Sequence, residues 1–239
     1  VNATGAGAVA LGASAYASGA RSAAFATNDS TATYGALNSD AFASANNAKA
    51  SGSAAIAMGP TSIASATNSI ALGNTAVASG TNSIALGNLS DTQGIINKTA
   101  VGSAATGYQM GNVLLRNQTV DATATVLTAN ASAASTTNQC ILPNNSAYCF
   151  SGMIVARQQA AGGTASAAWK VDGLIRREAS AATTTLVNSA LTVISNVPGW
   201  AIALSADTTN GGLSITATGA AATNIAWFVT LQTAEVTYA

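Results

Sequence analysis

The sequence predicts an all-β chain in two parts, a parallel β-roll (solenoid) followed by an antiparallel β-sandwich or jelly-roll-like domain. Three observations predict it: a seven-residue beat from Phe42 to Leu86, a change to longer apolar alternations from Val113, and the near absence of helical patterning. The centre of an Ala/Ser-x-Ala unit falls at Phe42, Lys49, Ile56, Ile63, Ile70, Val77 and Ile84. Two residues after each centre the chain reads Ser44, Ser51, Met58, Ser65, Leu72, Ser79 and Leu86, so from Ala48 onward the true period is fourteen. Each turn of the roll then holds two unequal short strands.

Successive strand side chains point to opposite faces. The flanking residues Ala55, Ala57, Ala64, Ala71, Ala78 and Ala85 therefore look one way, into an interior too thin for anything larger. Gly59, Gly73, Gly80 and Gly87 follow the strands and are expected to supply tight turns at positive φ. Ile56-Ala57-Met58, Ile70-Ala71-Leu72 and Ile84-Ala85-Leu86 are apolar on both faces, which implies burial on both faces. A thin roll cannot cover its own exterior. Ile56, Met58, Ile70, Leu72, Ile84 and Leu86 are thus expected to form the interface of a homo-oligomer. The competing reading is a monomeric roll covered by the second half of the chain.

The recurring NSIALG, within ASGTNSIALG from Ala78 to Gly87, resembles the head repeat of trimeric YadA-like adhesins. That resemblance implies a left-handed parallel β-roll and a homotrimer. The in-phase match covers residues 41 to 88, with looser copies at Ala8-Val9-Ala10-Leu11-Gly12 and Ala15-Tyr16-Ala17-Ser18-Gly19. Between them residues 20 to 40 break phase, and the step of nine from Tyr16 to Phe25 places an insertion or an irregular turn there.

The shaft is expected over residues 1–107, with a last turn around Ala100-Val101-Gly102, a neck over 108–115, and a tip domain over 116–239. Strands are expected at Val113 to Arg116, Thr123 to Thr128, Cys140 to Leu142, Tyr148 to Gln158, Ala167 to Arg177, Thr184 to Ile194, Ala201 to Ser205, Gly212 to Thr218 and Ile225 to Val236. Asn210-Gly211 signals a hairpin between Ala201–Ser205 and Leu213–Ala217. Pro143-Asn144-Asn145-Ser146 signals another, which would set Cys140 opposite Cys149. These cysteines suit either a disulfide or, in a reducing cytosol, two free buried thiols, the favoured reading. Trp169, Trp200 and Trp227 are read as core, with one as a sugar platform the alternative. The stretches ILPNNSAYCFSGMIVARQQAAGG, SAAWKVDGLIRREA and ALSADTTNGGLSITATGAAATNIAWFVTLQTAEV resemble a C-terminal domain of bacteriophage tail-fibre and tail-associated proteins. That resemblance implies a fibre or tail component.

Charged residues are 7% of 239 and the formal net charge is zero, so nucleic-acid binding has no electrostatic support. No apolar run is long enough to span a bilayer as a helix. The opening Val1-Asn2-Ala3-Thr4-Gly5 lies inside the repeat, so the sequence is expected to be a segment of a longer protein or a processed product. No histidine is present, which removes Ser-His-Asp and Cys-His catalysis and the commonest zinc sites. Carboxylate pairs for glycan cleavage are Asp29 with Asp40 or Asp172 with Glu178, neither at a diagnostic spacing. The expectation is no enzymatic activity, no cofactor and no metal.

The functional expectation is a homotrimeric bacteriophage tail fibre, located in the virion tail beside other tail proteins, that adsorbs to a host cell-surface glycan or outer-membrane receptor. The alternatives are the head of a bacterial trimeric autotransporter on the cell surface, or a purely structural fibre or capsid decoration protein. Asn144, Asn145 and Asn210, on turns of the second half, are the expected receptor contacts.

Overall fold

The computed structural model describes residues 1–25, 33–103, 105–160 and 163–238. They form two compact units, Val1–Gly111 and Asn112–Ala239.

The first unit is a solenoid of short parallel strands. One sheet runs in the order β1 (Asn2–Ala3), β3 (Tyr16–Ala17), β5 (Gly35–Ala36), β7 (Lys49–Ala50), β9 (Ile63–Ala64) and β11 (Val77–Ala78). The other runs β2 (Val9–Leu11), β4 (Ala23–Phe25), β6 (Phe42–Ser44), β8 (Ile56–Met58), β10 (Ile70–Leu72), β12 (Ile84–Leu86) and β13 (Thr99–Gly102). The fourteen-residue period is the register itself: Ile56 pairs with Ile70 and Ile70 with Ile84. The last step, Ile84 to Thr99, is fifteen.

The phase break lies later than the spacing of Tyr16 and Phe25 suggests. Val9 pairs with Ala23 at the regular fourteen, so Ala23 rather than Phe25 is the strand centre. The step of nineteen falls instead between Ala23 and Phe42, and between Ala17 and Ala36. Five extra residues therefore sit between Phe25 and Gly35.

The interior is a stack of alanines, with Ala43, Ala57, Ala71 and Ala85 on one sheet and Ala50, Ala64 and Ala78 on the other, all fully buried. Positive φ occurs at Gly59, Gly73 and Gly87 as expected, but not at Gly80. The left-handed turn residue in most coils is not glycine at all: Asp40, Ala54, Asn68, Asn82 and Asn97 occupy one row of such positions, with φ between 53° and 58°. In that row the Asn68 amide donates to Asn82 and the Asn82 amide to Asn97. Asparagine tolerates this region better than most residues, and stacked copies hydrogen-bond to each other along the roll. Gly80 has a different task. A Cβ there would lie 2.1 Å from the carbonyl oxygen of Ile95, so glycine is required for the approach of the neighbouring coil.

The second unit is two antiparallel sheets. The larger runs β19 (Thr185–Ser195), β18 (Ser166–Arg177), β17 (Ser146–Gln158), β22 (Ile225–Thr237), then the part of β14 (Tyr108–Thr119) from Asn112 onward. Residues 108–115, expected as a neck, are thus strand. In the smaller sheet β21 (Gly212–Thr218) pairs with β20 (Ala201–Asp207), β15 (Thr125–Val126) and β16 (Cys140–Ile141). Among the described residues nine strands lie at the segments where eight or nine were expected.

One face of the large sheet buries Tyr148, Phe150, Ile154, Val171, Ile175, Val229 and Leu231, and the small sheet buries Leu213, Ile215 and Ala217. All three tryptophans belong to this core. Trp169 stacks on Trp227 at 5.7 Å between ring centroids, Trp200 tilts against Trp227 at 5.8 Å, and the Trp227 indole N–H donates to Thr119. Buried indoles with a satisfied N–H are packing groups rather than platforms.

The hairpin expected across Pro143–Ser146 is not formed. Cys140 pairs with Leu213 in the small sheet, whereas Cys149 pairs with Leu174 and Ala234 in the large one. The chain changes sheets at this turn, so the two cysteines form no disulfide; Cys140 is buried and Cys149 is exposed instead of buried.

Candidate functional site

The six residues expected at an oligomer interface stand in two in-register rows on the outside of the roll, Ile56–Ile70–Ile84 and Met58–Leu72–Leu86. They point away from the alanine stack because strand side chains alternate. Five are half-buried by their neighbours along the row, and Met58 is exposed. Val9, Leu11 and Phe25 add exposed apolar groups on the same sheet.

The expected receptor contacts do converge. Asn144 is exposed, and the backbone N–H of Asn145 donates to Glu178 while its carbonyl accepts from Tyr238. The backbone N–H of Leu142, just before this turn, donates to Gly211, and the Arg177 guanidinium donates to the Leu142 carbonyl. Turn and hairpin loop are thus pinned together. Asn210, however, spends its side-chain amide on Asp207 at 2.8 Å, and the same carboxylate accepts from the backbone N–H groups of Thr209 and Asn210. Burial pushes the Asp207 carboxyl up, but these bonds outweigh it and hold it below the usual carboxylate value. Asn210 therefore serves the loop, which leaves Asn144 as the freer amide.

The carboxylate pairs are separated. Asp29 lies outside the described residues. Asp40 is engaged by Arg21 in a two-pronged pair at 2.7 and 2.8 Å, and the Arg21 hydrogen bond holds its carboxyl below the usual range. Asp172 is held low by the Ser151 hydroxyl and then by Lys170, and Glu178 faces Arg176. Six residues of extended chain between Asp172 and Glu178 span about 20 Å. That exceeds the roughly 5–9.5 Å over which two carboxylates flank one glycosidic bond. No group of three metal-ligating residues occurs among the described residues.

The outer face of the large sheet is a further apolar surface, outside the residues expected at a site. Met153, Val155, Leu174, Phe228 and Val236 are exposed there, opposite the core residues of the same strands. The edge strand β19 exposes Val187, Leu191, Val193 and Ile194 without one charge or proline in its length. An edge of that kind invites pairing or packing unless something covers it. The signal was available: Tyr148 to Ala156 is apolar on both faces, the same pattern that marks the roll strands.

Three shallow grooves open on this outer face. One of about 490 Å³ lies among Cys149, Ser151, Asp172, Leu174 and Asn188. A second of about 350 Å³ lies among Asn112, Met153, Lys170 and Gln232. The third, of about 570 Å³, lies between the end of β14 and β22, among Arg116, Gln118, Ala131, Ala226 and Phe228.

Residues 3–25, 50–76 and 64–90 match the YadA head domain repeat (2 copies), so the first unit is adhesin-like. No curated protein matches the chain. Among solved structures the chain is similar to the tailspike protein gp49 from Acinetobacter baumannii bacteriophage Fri1, a capsular polysaccharide depolymerase, at 10% identity and a TM-score of 0.33. The alignment covers 92% of this chain and 36% of that one, so this chain spans little more than a third of the tailspike's length. The expectation of a chain without enzymatic activity is corrected by this finding. Glycan cleavage runs on carboxylates and needs no histidine, so the missing histidine does not make the chain a non-enzyme. A likeness this weak assigns no reaction to it either. The first unit carries YadA-like head repeats, and the second is a pair of antiparallel sheets.

Proposed function

We propose that the chain is a homotrimeric fibre component of a bacteriophage tail that adsorbs to the host surface, with the roll as shaft and the second unit as the binding part. The observation that carries the assembly is the pair of rows Ile56–Ile70–Ile84 and Met58–Leu72–Leu86, in register and incompletely covered by the chain itself. Completing the burial of half-covered Ile and Leu side chains contributes on the order of 1 kcal/mol each. Six per chain, repeated by symmetry, suffice to hold copies together. The uncharged edge strand β19 supports the same reading for the second unit.

Adsorption would use the exposed loops and outer-face grooves of that unit. Identical sites on joined copies raise weak single-site affinity, because later binding events become intramolecular. The head of a bacterial surface adhesin is the second reading, and the YadA head repeats favour it.

Sedimentation analysis of the whole chain and of Leu72→Lys/Leu86→Lys tests the assembly. A trimer that the double substitution converts to monomer is expected; a wild-type monomer refutes it. Binding of the assembled chain to host cells tests adsorption, and a correctly assembled trimer that binds no host would overturn it.

A further inference from the structure

We propose that the groove between β14 and β22 is a binding site for an acidic sugar of a surface glycan, with Arg116 taking the anionic group and Phe228 the apolar face of the ring. Arg116 stands apart from the other arginines. Arg21 and Arg176 face Asp40 and Glu178, Arg157 donates to Gly163, Thr164 and Ser166, and Arg177 donates to Leu142. The Arg116 guanidinium alone has no side-chain or carbonyl partner among the described residues, while its backbone is fixed by paired bonds to Thr128 at 2.8 and 3.2 Å. A planar fork of donors on an anchored strand is suited to a carboxylate or phosphate.

The surroundings fit a sugar rather than a bare ion. Phe228, 41% exposed, lies on the same outer face as Arg116 and Gln118. Ala226, two residues earlier on that face, leaves the space beside the ring open, and Trp227 beneath is fixed by its bond to Thr119. Gln118 supplies an exposed amide for sugar hydroxyls. The opposite wall is Ala131, in a loop whose shape is set internally. Thr128 donates to the Ser132 carbonyl, Asn138 donates to Asn130 and Ala133, and the Ala129 N–H donates to Asn138. A wall already ordered loses little entropy on binding. The volume of about 570 Å³ lies within the roughly 300–1,000 Å³ of ordinary ligand sites. A symmetric contact between copies fits this spot badly, since it would bury Arg116 without a carboxylate facing it.

The inference rests on the surface-binding reading for its setting, and its test is separable from the test of that reading. The probes are immobilised glucuronate-containing oligosaccharides, the same oligosaccharides after carboxyl reduction, and phosphate-bearing oligosaccharides, applied to the full chain. Binding to at least one acidic set is expected, and preference for carboxylate or phosphate identifies the anion. Carboxyl reduction and Arg116→Gln should each weaken uronate binding at least tenfold, and in Arg116→Gln the acidic and reduced forms should bind alike. Phe228→Ser should weaken both forms. Arg116→Gln and Phe228→Ser alter exposed side chains, and an unchanged melting temperature verifies their fold. Equal binding of acidic and neutral forms by the wild type, retention of acidic binding in Arg116→Gln, or no binding to any probe overturns the site. Host-cell binding that persists in Arg116→Gln would overturn this site while leaving adsorption standing.

Discussion

Gly80 separates two accounts of why the roll contains glycine. If backbone conformation alone decided the outcome, Gly80→Ala would stabilise the chain by roughly 0.4–1 kcal/mol, because Gly80 lacks positive φ and alanine restricts the unfolded chain. The structure gives the opposite sign. The new Cβ would sit 2.1 Å from the Ile95 carbonyl oxygen, against the 3.0 Å below which real contacts essentially do not occur. Neighbouring coils must part locally by about 1 Å. The bonds between these coils that would stretch include Asn97 N–H to Thr81 and Thr92 N–H to Val77, each 3.0 Å, worth about 1 kcal/mol apiece. Overpacking itself adds about 1–3 kcal/mol, so the expected loss is roughly 2–5 kcal/mol. Gly94→Ala is the control: its Cβ meets nothing within 4 Å, and only the left-handed φ of 72° opposes it, at about 1–2 kcal/mol. Guanidinium and thermal melts followed by circular dichroism at fixed chain concentration, because stability of an oligomer depends on concentration, should rank wild type above Gly94→Ala and Gly94→Ala above Gly80→Ala. A Gly80→Ala chain as stable as the wild type would refute the close-approach argument.

The remaining predictions concern the second unit. In the native chain a thiol reagent should modify Cys149 quickly and Cys140 only on unfolding; simultaneous reaction of both would contradict their placement on different sheets. Trp169→Ala should cost about 3–5 kcal/mol, read from the denaturant midpoint of the second unit, because it removes a 2% exposed ring stacked on Trp227. Asp207 has a folded-state pKa below its unfolded value of about 3.9, so its stabilising contribution is full above that pH and is lost as pH falls through the folded value. The stability gap between wild type and Asp207→Asn should therefore be present at neutral pH and close below about pH 4; a gap that widens in acid would reverse the sign.

What the sequence made legible follows from how far apart partners lie along the chain. In the regular part of the roll, from Gly35 to Leu86, each strand pairs with the one fourteen residues on, so Ile56, Ile70 and Ile84 declare their register by identity. The β20–β21 hairpin is equally local, from Ala201 opposite Thr218 to Asp207 opposite Gly212, and the Asn210-Gly211 signal sufficed. Cys140 and Cys149 show where that reasoning stops. The turn between them has hairpin composition, yet Cys149 takes Ala234 as a partner eighty-five positions away, and no local pattern states which of two sheets a strand will join. Gly80 was misassigned for a related reason: glycine for φ and glycine for close approach are the same letter, and only the neighbouring coil distinguishes them.

The binding groove is the least legible feature, because it depends on three separated segments. Arg116 lies on β14, Phe228 on β22 and Ala131 in the loop between β15 and β16, and the sequence joins them by no period or motif. What the sequence did carry was a negative signal. With eight basic and eight acidic residues in 239, an arginine that takes neither an acid nor a carbonyl among the described residues marks a position, because the other four each take one or the other. Sparse charge, which argues against nucleic acid as a partner, thereby makes the single unengaged guanidinium informative: in a highly charged chain it would be one solvated side chain among many.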